Sequence, residues 1–590
     1  MNRRQFLTFN HAAKPVADVK GAPLLRPLSA KRNSNLSPRE LAARFLMQAT
    51  LGPTLAEIDA ANARGFAGWI DDQMALPATK TLTYMWEVVD KVYFVENQPL
   101  LHVHPFRWAW WQAVMRNPDT LRQRVAMALS EIMVISTRTD LLVDTAIGVA
   151  SFYDVLLRHS FGNFRDLLFD VAMHPAMGYY LSHAGNRKAD PSVNRFPDEN
   201  FAREIMQLFS IGLFELNQDG TRKKDALGND IPTYDNNDIQ EFAKIFTGLT
   251  YTLSAIWEEE GLDPSNGDDF AMTYLFWDNA SNPMVMYEQY HEPGPKQLLN
   301  GVVVPAGQPG MQDVNDAIDN LFDHPNVGPF IGRLLIQRLV KSNPSSAYIS
   351  RVAGAFNDNG SGVRGDMGAV VRAILLDDEA RNPAFINDPT HGMLREPFVR
   401  YVQICRATEL YNEQGEDLFY NMVEPELEFE LGQYPFASPS VFNFFSPNYR
   451  PLGPLNTADL TAPEFQIATS VAVNKLFNLF EHMILYDELM VMPEGMDEEE
   501  EQIVDGFEQR MPNISRVSMN LTPYDALEGN VPALVDSLNL LFANGSLSDA
   551  TQSIIQTAIT ALYTETEDWG DAVRAALVMV VTCPEAAIFK

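Results

Sequence analysis

The sequence predicts a mainly α fold, a multi-helical assembly interrupted by a small irregular β-containing insertion. Three observations predict it. Apolar residues recur three and four apart along most of the chain, the spacing of a buried helical stripe. Capping signatures open the stripes and glycine or proline closes them. The character changes over residues 254–312, where Gly, Pro, Asn and Asp become frequent.

The folded part is expected to begin at Ser37-Pro38-Arg39-Glu40, a capping box with proline at the first helical position. Leu41, Phe45 and Leu46 form its stripe. Thr54 with Glu57 opens a second helix by the same device, and Phe66, Trp69 and Ile70 continue the spacing after Gly65. Residues 107–115 place Trp108 and Trp111 three apart. Asn117-Pro118 caps the next helix, whose stripe is Leu121, Val125, Leu129 and Ile132. Further helices are expected over 153–157 and 164–171, followed by a polar, proline-punctuated surface loop over 186–197.

The stretch PDENFAREIMQLFSIGLFELNQDG, residues 197–220, reads residue by residue. Pro197 pre-sets the backbone, and Asp198 and Glu199 put negative charge at the positive end of a helix dipole. Phe201, Ile205, Leu208 and Phe209 make the buried stripe. Gly212 supplies a left-handed residue to stop the helix, and 213–216 run extended into an Asp219-Gly220 turn. Another helix, capped by Asp235 or Asn237, ends at Gly248. Short strands are expected at 284–287 and 301–305. Helical spacing resumes at Asp313 and continues through 330–340, 347–356, 366–376 and 397–408. A proline- and aromatic-rich loop follows at 438–454, and 497–501 is a solvated acidic loop. The organisation is therefore a basic N-terminal arm or degenerate export signal (1–36), an N-terminal helical region (37–253), the turn-rich insertion (254–312) and a C-terminal helical region (313–590). HPAMGYYL at His174 echoes HPNVGPFI at His324; duplication of a helical unit is one reading, and the favoured one is a repeated helix stop, because the residue before proline avoids helical geometry.

At 590 residues the chain can bury a large core. Its net charge of −33 opposes general binding to nucleic acid or anionic membranes. Cys405 and Cys583 make neither a disulfide framework nor a cysteine metal site, and each reads as a small apolar residue on a helix. No apolar run is long enough to cross a bilayer; 575–581 reads as a core helix. The start, MNRRQFLT, carries the Arg3-Arg4 pair of a twin-arginine signal without the apolar segment that should follow. Export by that segment, or in complex with a partner that carries a competent signal, is one reading, and a basic arm on a cytoplasmic protein is the other.

Several long segments resemble one bacterial family: RWAWWQAV at Arg107, LRQRVAMALSEIMVIS at Leu121, FGNFRDLLFDVAMHPAMGYYL at Phe161, PDENFAREIMQLFSIG at Pro197, HPNVGPFIGRLLIQRLVKSNPS at His324, GVRGDMGAVVRAILLDDEAR at Gly362, LREPFVR at Leu394 and SVFNFF at Ser440. Together they resemble the family catalogued as domain of unknown function eighteen hundred, over nearly the whole chain from Ser37. The resemblance implies a largely helical, often exported protein, commonly encoded beside a sulfatase-like family with a twin-arginine signal. It supplies no catalytic residues and no cofactor.

The densest polar neighbourhood holds the catalytic candidates His174, Asp198, Glu199, Arg203 and Glu204, with His291 from the segment YHEPGPK. Arg187, Lys188, Arg395 and Glu396 are the ligand-binding candidates, the local positive charge being where an anionic ligand would go in an acidic protein; helix capping and ion pairing explain the same residues. His102 and His104 form an HxH pair with no third ligand at a telling distance, so no metal site is expected. Residues 357–360 carry oxygen ligands without EF-hand spacing and read as a helix–helix turn, with Arg364-Gly365-Asp366 capping the next helix. No phosphate-binding glycine loop, HExxH or GxSxG elbow occurs. The expected function is that of a helical, envelope-associated accessory or scaffold protein working with a sulfatase-like partner. The alternatives are a hydrolase, with or without a metal's assistance, built on 174–204, and a carbohydrate-binding protein using the aromatics of 438–454.

Overall fold

The structure is a computed structural model that describes residues 32, 34–88, 104–139, 141–271, 275, 278–412, 425–486 and 517–590. The export-signal motif, His102 and the acidic loop lie outside the described residues. The fold is mainly helical, with small antiparallel strand pairs.

The expected capping boxes are both present. Ser37 and Glu40 cap Pro38–Ala49, and Thr54 and Glu57 cap Leu55–Arg64. Each exchange satisfies amides left without intrahelical partners. The tryptophans of His104–Arg116 belong to the interior: Trp108, Trp110 and Trp111 are buried, and Trp111 Nε1 donates to Tyr434 Oη at 2.6 Å. A contiguous apolar core runs from Ala42 to Ala586. Thr120–Ser130 is buried on every face, so Arg122, Gln123 and Arg124 are interior as well. The late helix Trp569–Thr582 buries Ala575 to Val581 nearly throughout, as its apolar run implies. Cys405 is buried within Pro397–Ala407, whereas Cys583 is half-buried and caps the end of Trp569–Thr582.

The insertion holds small sheets close to the expected positions. Val285–Met286 pairs with Leu249–Thr250, and Val303–Val304 with Lys296–Gln297. Met393–Leu394 pairs with Ile588–Phe589, tying the chain's end to its middle.

The helix after Pro197 is shorter than its stripe implies, covering Asn200–Gln207 with Asp198 Oδ1 accepting the Asn200 amide at 2.8 Å. Beyond it, the Ile211 and Gly212 amides both turn back to the Met206 carbonyl at 3.0 Å, and Ser210 Oγ donates to the Ile205 carbonyl. These bonds wind 208–212 into a tight coil in place of a last helical turn. Gly212 ends it at φ 72°, the expected left-handed stop. The two His-Pro segments do one local job. His174 Nδ1 accepts the Ala176 amide and His324 Nδ1 accepts the Asn326 amide, both at 3.2 Å, just after their helices stop.

Candidate functional site

Three segments meet around an open cleft of about 630 Å³, inside the usual range for small-molecule sites. The first is the stretch from Gly212 to Arg222, folded back by bridges Phe214–Pro232 and Leu216–Arg222. The second is the helix Val327–Leu339. The third is the aromatic loop 439–448.

Asn326 joins the first two. Its Nδ2 donates to the carbonyls of Ile211 and Phe214, and its Oδ1 accepts the Leu216 amide, each at 2.8 Å. One buried amide thus fixes a strand-like segment against the start of a helix, with every partner satisfied. That helix then turns Phe330, Arg333, Leu334 and Arg338 toward the cleft. Their spacing is that of one face, so two guanidinium groups stand in an otherwise apolar stripe. The aromatic loop is tied down at both ends. Ser136 Oγ donates to the Ser438 carbonyl at 2.6 Å, and Gln337 Nε2 to the Pro447 carbonyl at 3.0 Å. Arg333 donates to Asn448 Oδ1 at 2.5 Å, and Arg338 stacks on the Phe445 ring at 4.3 Å.

Beneath the cleft lies a closed ionic network. Arg338 faces Glu131 at 3.0 Å, and both are buried. Gln433 Nε2 donates to Glu131 Oε1 at 3.2 Å and also to Glu396. Arg124, whose guanidinium donates to the Arg338 carbonyl, sits within electrostatic reach of Glu131 and Glu396. Burial pushes the Glu131 carboxyl well above the usual range, Glu396 adds to the push, and Arg338 and Arg124 oppose it. Glu464 is 1% exposed, and burial raises its carboxyl to about 8.

The candidate residues read from the sequence fall into separate places. His174 is a buried imidazole between Ser151 Oγ, 3.1 Å from Nε2, and the Ala176 amide on Nδ1; burial lowers its pKa to about 3. Asp198 caps Asn200–Gln207 at the surface, and Glu199 pairs with Arg203 at 3.3 Å, one turn apart. Glu204 is buried beside Tyr180 and Tyr234, its carboxyl raised mainly by burial. His291 is far from open: Nδ1 donates to the Thr247 carbonyl at 2.8 Å, and Nε2 lies 2.9 Å from Asp313 and 3.2 Å from Lys296, all buried. Arg187 stacks over Phe270 and Tyr290 at 5.8 and 5.6 Å. Lys188 gives its amide to the Tyr290 carbonyl and its carbonyl to Arg195. Arg395 is buried against Gln403, its pKa lowered to about 9 by burial and by Arg400 and Arg124. Glu396 belongs to the network under the cleft. So 174–204, His291 and the Arg395–Glu396 pair occupy three distinct environments.

The sequence reading did not single out Glu131, Arg333, Arg338, Gln433 or Glu464 as site residues. For Glu131, Arg333 and Arg338 the signal is a charge in or at the end of a largely apolar helical run, as in VAMALSE and GRLLIQRLV; Gln433 and Glu464 lie outside such runs and carry no such signal.

Fold and cleft together define a mainly helical protein with an arginine-bearing, aromatic-walled pocket over buried carboxylates. The chain belongs to the family described as protein of unknown function (DUF1800), whose model matches residues 44–588. Comparison with curated proteins and with solved structures gives no match. Among the described residues no cluster of three or more His, Cys, Asp or Glu side chains could hold a metal ion, and no helix is long and apolar enough to cross a membrane.

Proposed function

We propose that the protein is a binding protein, an accessory or scaffold factor whose ligand seat is the cleft between 212–222, Val327–Leu339 and 439–448. This reading places it beside a sulfatase-like partner, as the family resemblance implies. The observation that carries it is the cleft itself: about 630 Å³, walled by apolar and aromatic side chains and furnished with arginines, on a chain of net charge −33. Two histidines that could act as general bases support it by being occupied. Both ring nitrogens of His174 and of His291 are engaged by buried partners.

The test is native mass spectrometry of the purified chain beside a Leu334→Trp variant, which fills the cleft. A co-purifying small molecule carried by the wild type and lost in the variant supports the reading. Equal occupancy in both proteins, or none in either, overturns it.

One observation favours a second reading, a hydrolase. Glu464, raised by burial to about 8, is a carboxylic acid that keeps its proton at neutral pH, and a general acid works best with its pKa near the operating pH. Turnover of ester or glycoside substrates that falls off on the alkaline side in the wild type, and that is lost at every pH in Glu464→Gln, would favour this reading over retention without turnover. Carbohydrate binding rests on the exposed Phe442 of the same loop and is tested by affinity electrophoresis in polysaccharide gels.

A further inference from the structure

We infer that Arg333, with Arg222 and Arg450 around it, forms an oxyanion subsite in the cleft, and that the ligand is a small amphipathic molecule carrying a carboxylate, phosphate or sulfate on an apolar or aromatic body. The inference rests on the cleft being the ligand seat and adds the ligand's chemistry.

The charges around the cleft are unequally matched. Arg338 has Glu131, Arg222 has Asp230 at 2.6 Å, and Arg450 has Asp459. Asp230 is shared further with Lys224. Among the described residues Arg333 faces no carboxylate. Its one hydrogen-bond partner is the neutral Oδ1 of Asn448, and its pKa is lowered by burial and then by Arg222 and Arg450. Arg222 lines the cleft with Arg333, and Arg450 stands within electrostatic reach; of the three, Arg333 alone faces no carboxylate among the described residues, in a protein whose surplus charge is strongly negative. A half-buried guanidinium keeps unused donors in a fixed fork, which matches the paired oxygens of a carboxylate or phosphate.

The walls specify the rest of the molecule. Leu213 is half exposed and Phe442 more so, although both line a cavity, and Phe330, Leu334 and Val441 continue the apolar surface between them. Phe214 already carries Arg222 on its ring at 4.3 Å, which holds that guanidinium at the rim. A ligand with a charged head and a flat or branched apolar body would cover these groups together. An inorganic anion alone would leave the walls wet.

The experiment is calorimetric titration of the full chain with 1-naphthyl phosphate, 1-naphthyl sulfate and 1-naphthaleneacetate. The uncharged 1-naphthaleneacetamide, inorganic phosphate and a hexaglutamate peptide serve as comparisons. The expected result is that at least one naphthyl anion binds about ten-fold or more tightly than the amide, and that added salt narrows the difference. Arg333→Gln should bring the anion to the affinity of the amide, while Arg333→Lys, which keeps the charge and loses the fork, should fall between. Unchanged melting temperatures certify that both variants are folded. Equal affinity for anion and amide overturns the oxyanion subsite and leaves the cleft reading standing. Failure of every naphthyl probe to bind overturns both. Inorganic phosphate binding as tightly as the naphthyl anions refutes the amphipathic ligand. Hexaglutamate binding more tightly than they do refutes the small molecule in favour of an acidic protein segment.

Discussion

Replacing Glu464 with Gln should make the protein more stable at alkaline pH and leave it nearly unchanged in mild acid. Glu464 lies in the short turn Pro463–Gln466, 1% exposed, with Oε2 lacking a hydrogen-bond partner among the described residues. Burial lifts its pKa from 4.5 to about 8, with the nearby Glu396 adding to the rise and Arg338 opposing it. Between those values the folded protein keeps a proton that the unfolded chain releases. The stability this proton supports is complete below 4.5, declines as pH rises, and is gone above about 8. A gap of roughly three to four units at 1.36 kcal/mol each is on the order of 5 kcal/mol. Gln is neutral at every pH and matches the protonated acid in shape, so it escapes the loss. Guanidinium unfolding of both proteins in steps from about pH 5 to about pH 9 reads the effect as a difference, in which other titrating groups cancel. The variant's advantage should grow with pH and then level off. A difference that is flat across this range, or that shrinks as pH rises, refutes a buried neutral Glu464.

Three further outcomes follow from local geometry. Gly212→Ala meets a φ of 72° and places a Cβ 2.8 Å from the Phe330 ring, so it should cost about 1–3 kcal/mol in thermal or chemical unfolding and weaken naphthyl-anion binding by displacing a cleft wall. Lys296→Met strands Asp313, whose buried carboxylate would keep only Gln308 and His291, and should destabilise by about 3–5 kcal/mol; adding Asp313→Leu should restore most of that, and a double variant as unstable as the two singles summed counts against the pairing. His174, held neutral with a pKa lowered to about 3, contributes stability that is present above its ordinary 6.5 and lost as pH falls toward 3. His174→Asn, which retains an acceptor for the Ala176 amide, should move the acid-unfolding midpoint to lower pH, and an unmoved midpoint counts against a neutral His174.

Local rules were legible in the sequence because they act within one turn of chain. The Ser37–Glu40 and Thr54–Glu57 boxes, the Gly212 stop, the Asp366 cap and the strand pair around 303 each depend on neighbours a few residues away. The cleft depends on pairs far apart. Asn326 reaches Ile211, Arg333 reaches Asn448, and Glu131 meets Arg338, across 115, 115 and more than two hundred positions. No periodicity within one helix reports such meetings. Local charge density pointed instead to 174–204, where polar residues crowd in sequence yet separate in space into a cap, an exposed ion pair and a buried histidine. The end of the Asn200–Gln207 helix was hidden for a related reason. Leu208 and Phe209 keep helical spacing, but backbone bonds from Ile211 and Gly212 to Met206 override it.

The network beneath the cleft has a physical consequence for whatever binds above it. Arg338 is shared: one side stacks on Phe445 in the cleft wall, and the other faces Glu131 in the floor. Removing one member of such a buried set costs more than the set contributes, because the charge left behind has no water to replace its partner. Arg338 is therefore held in place by the floor, and with it Phe445 and the loop that bears Phe442. The loop's far end is fixed by Gln337 and Arg333, which come from the same helix. A ligand drawing on Arg333 would pull against Asn448, and a ligand pressing on Phe445 would pull on Glu131. Binding and the protonation of the buried carboxyls are thus linked through one helix. By reciprocity, an anion that binds more tightly as pH falls must itself bring about proton uptake when it binds. Titrating naphthyl phosphate at fixed pH in two buffers of different ionisation enthalpy measures that proton uptake directly. Uptake in the wild type that vanishes in Glu464→Gln places the proton on Glu464; uptake that persists unchanged places it elsewhere.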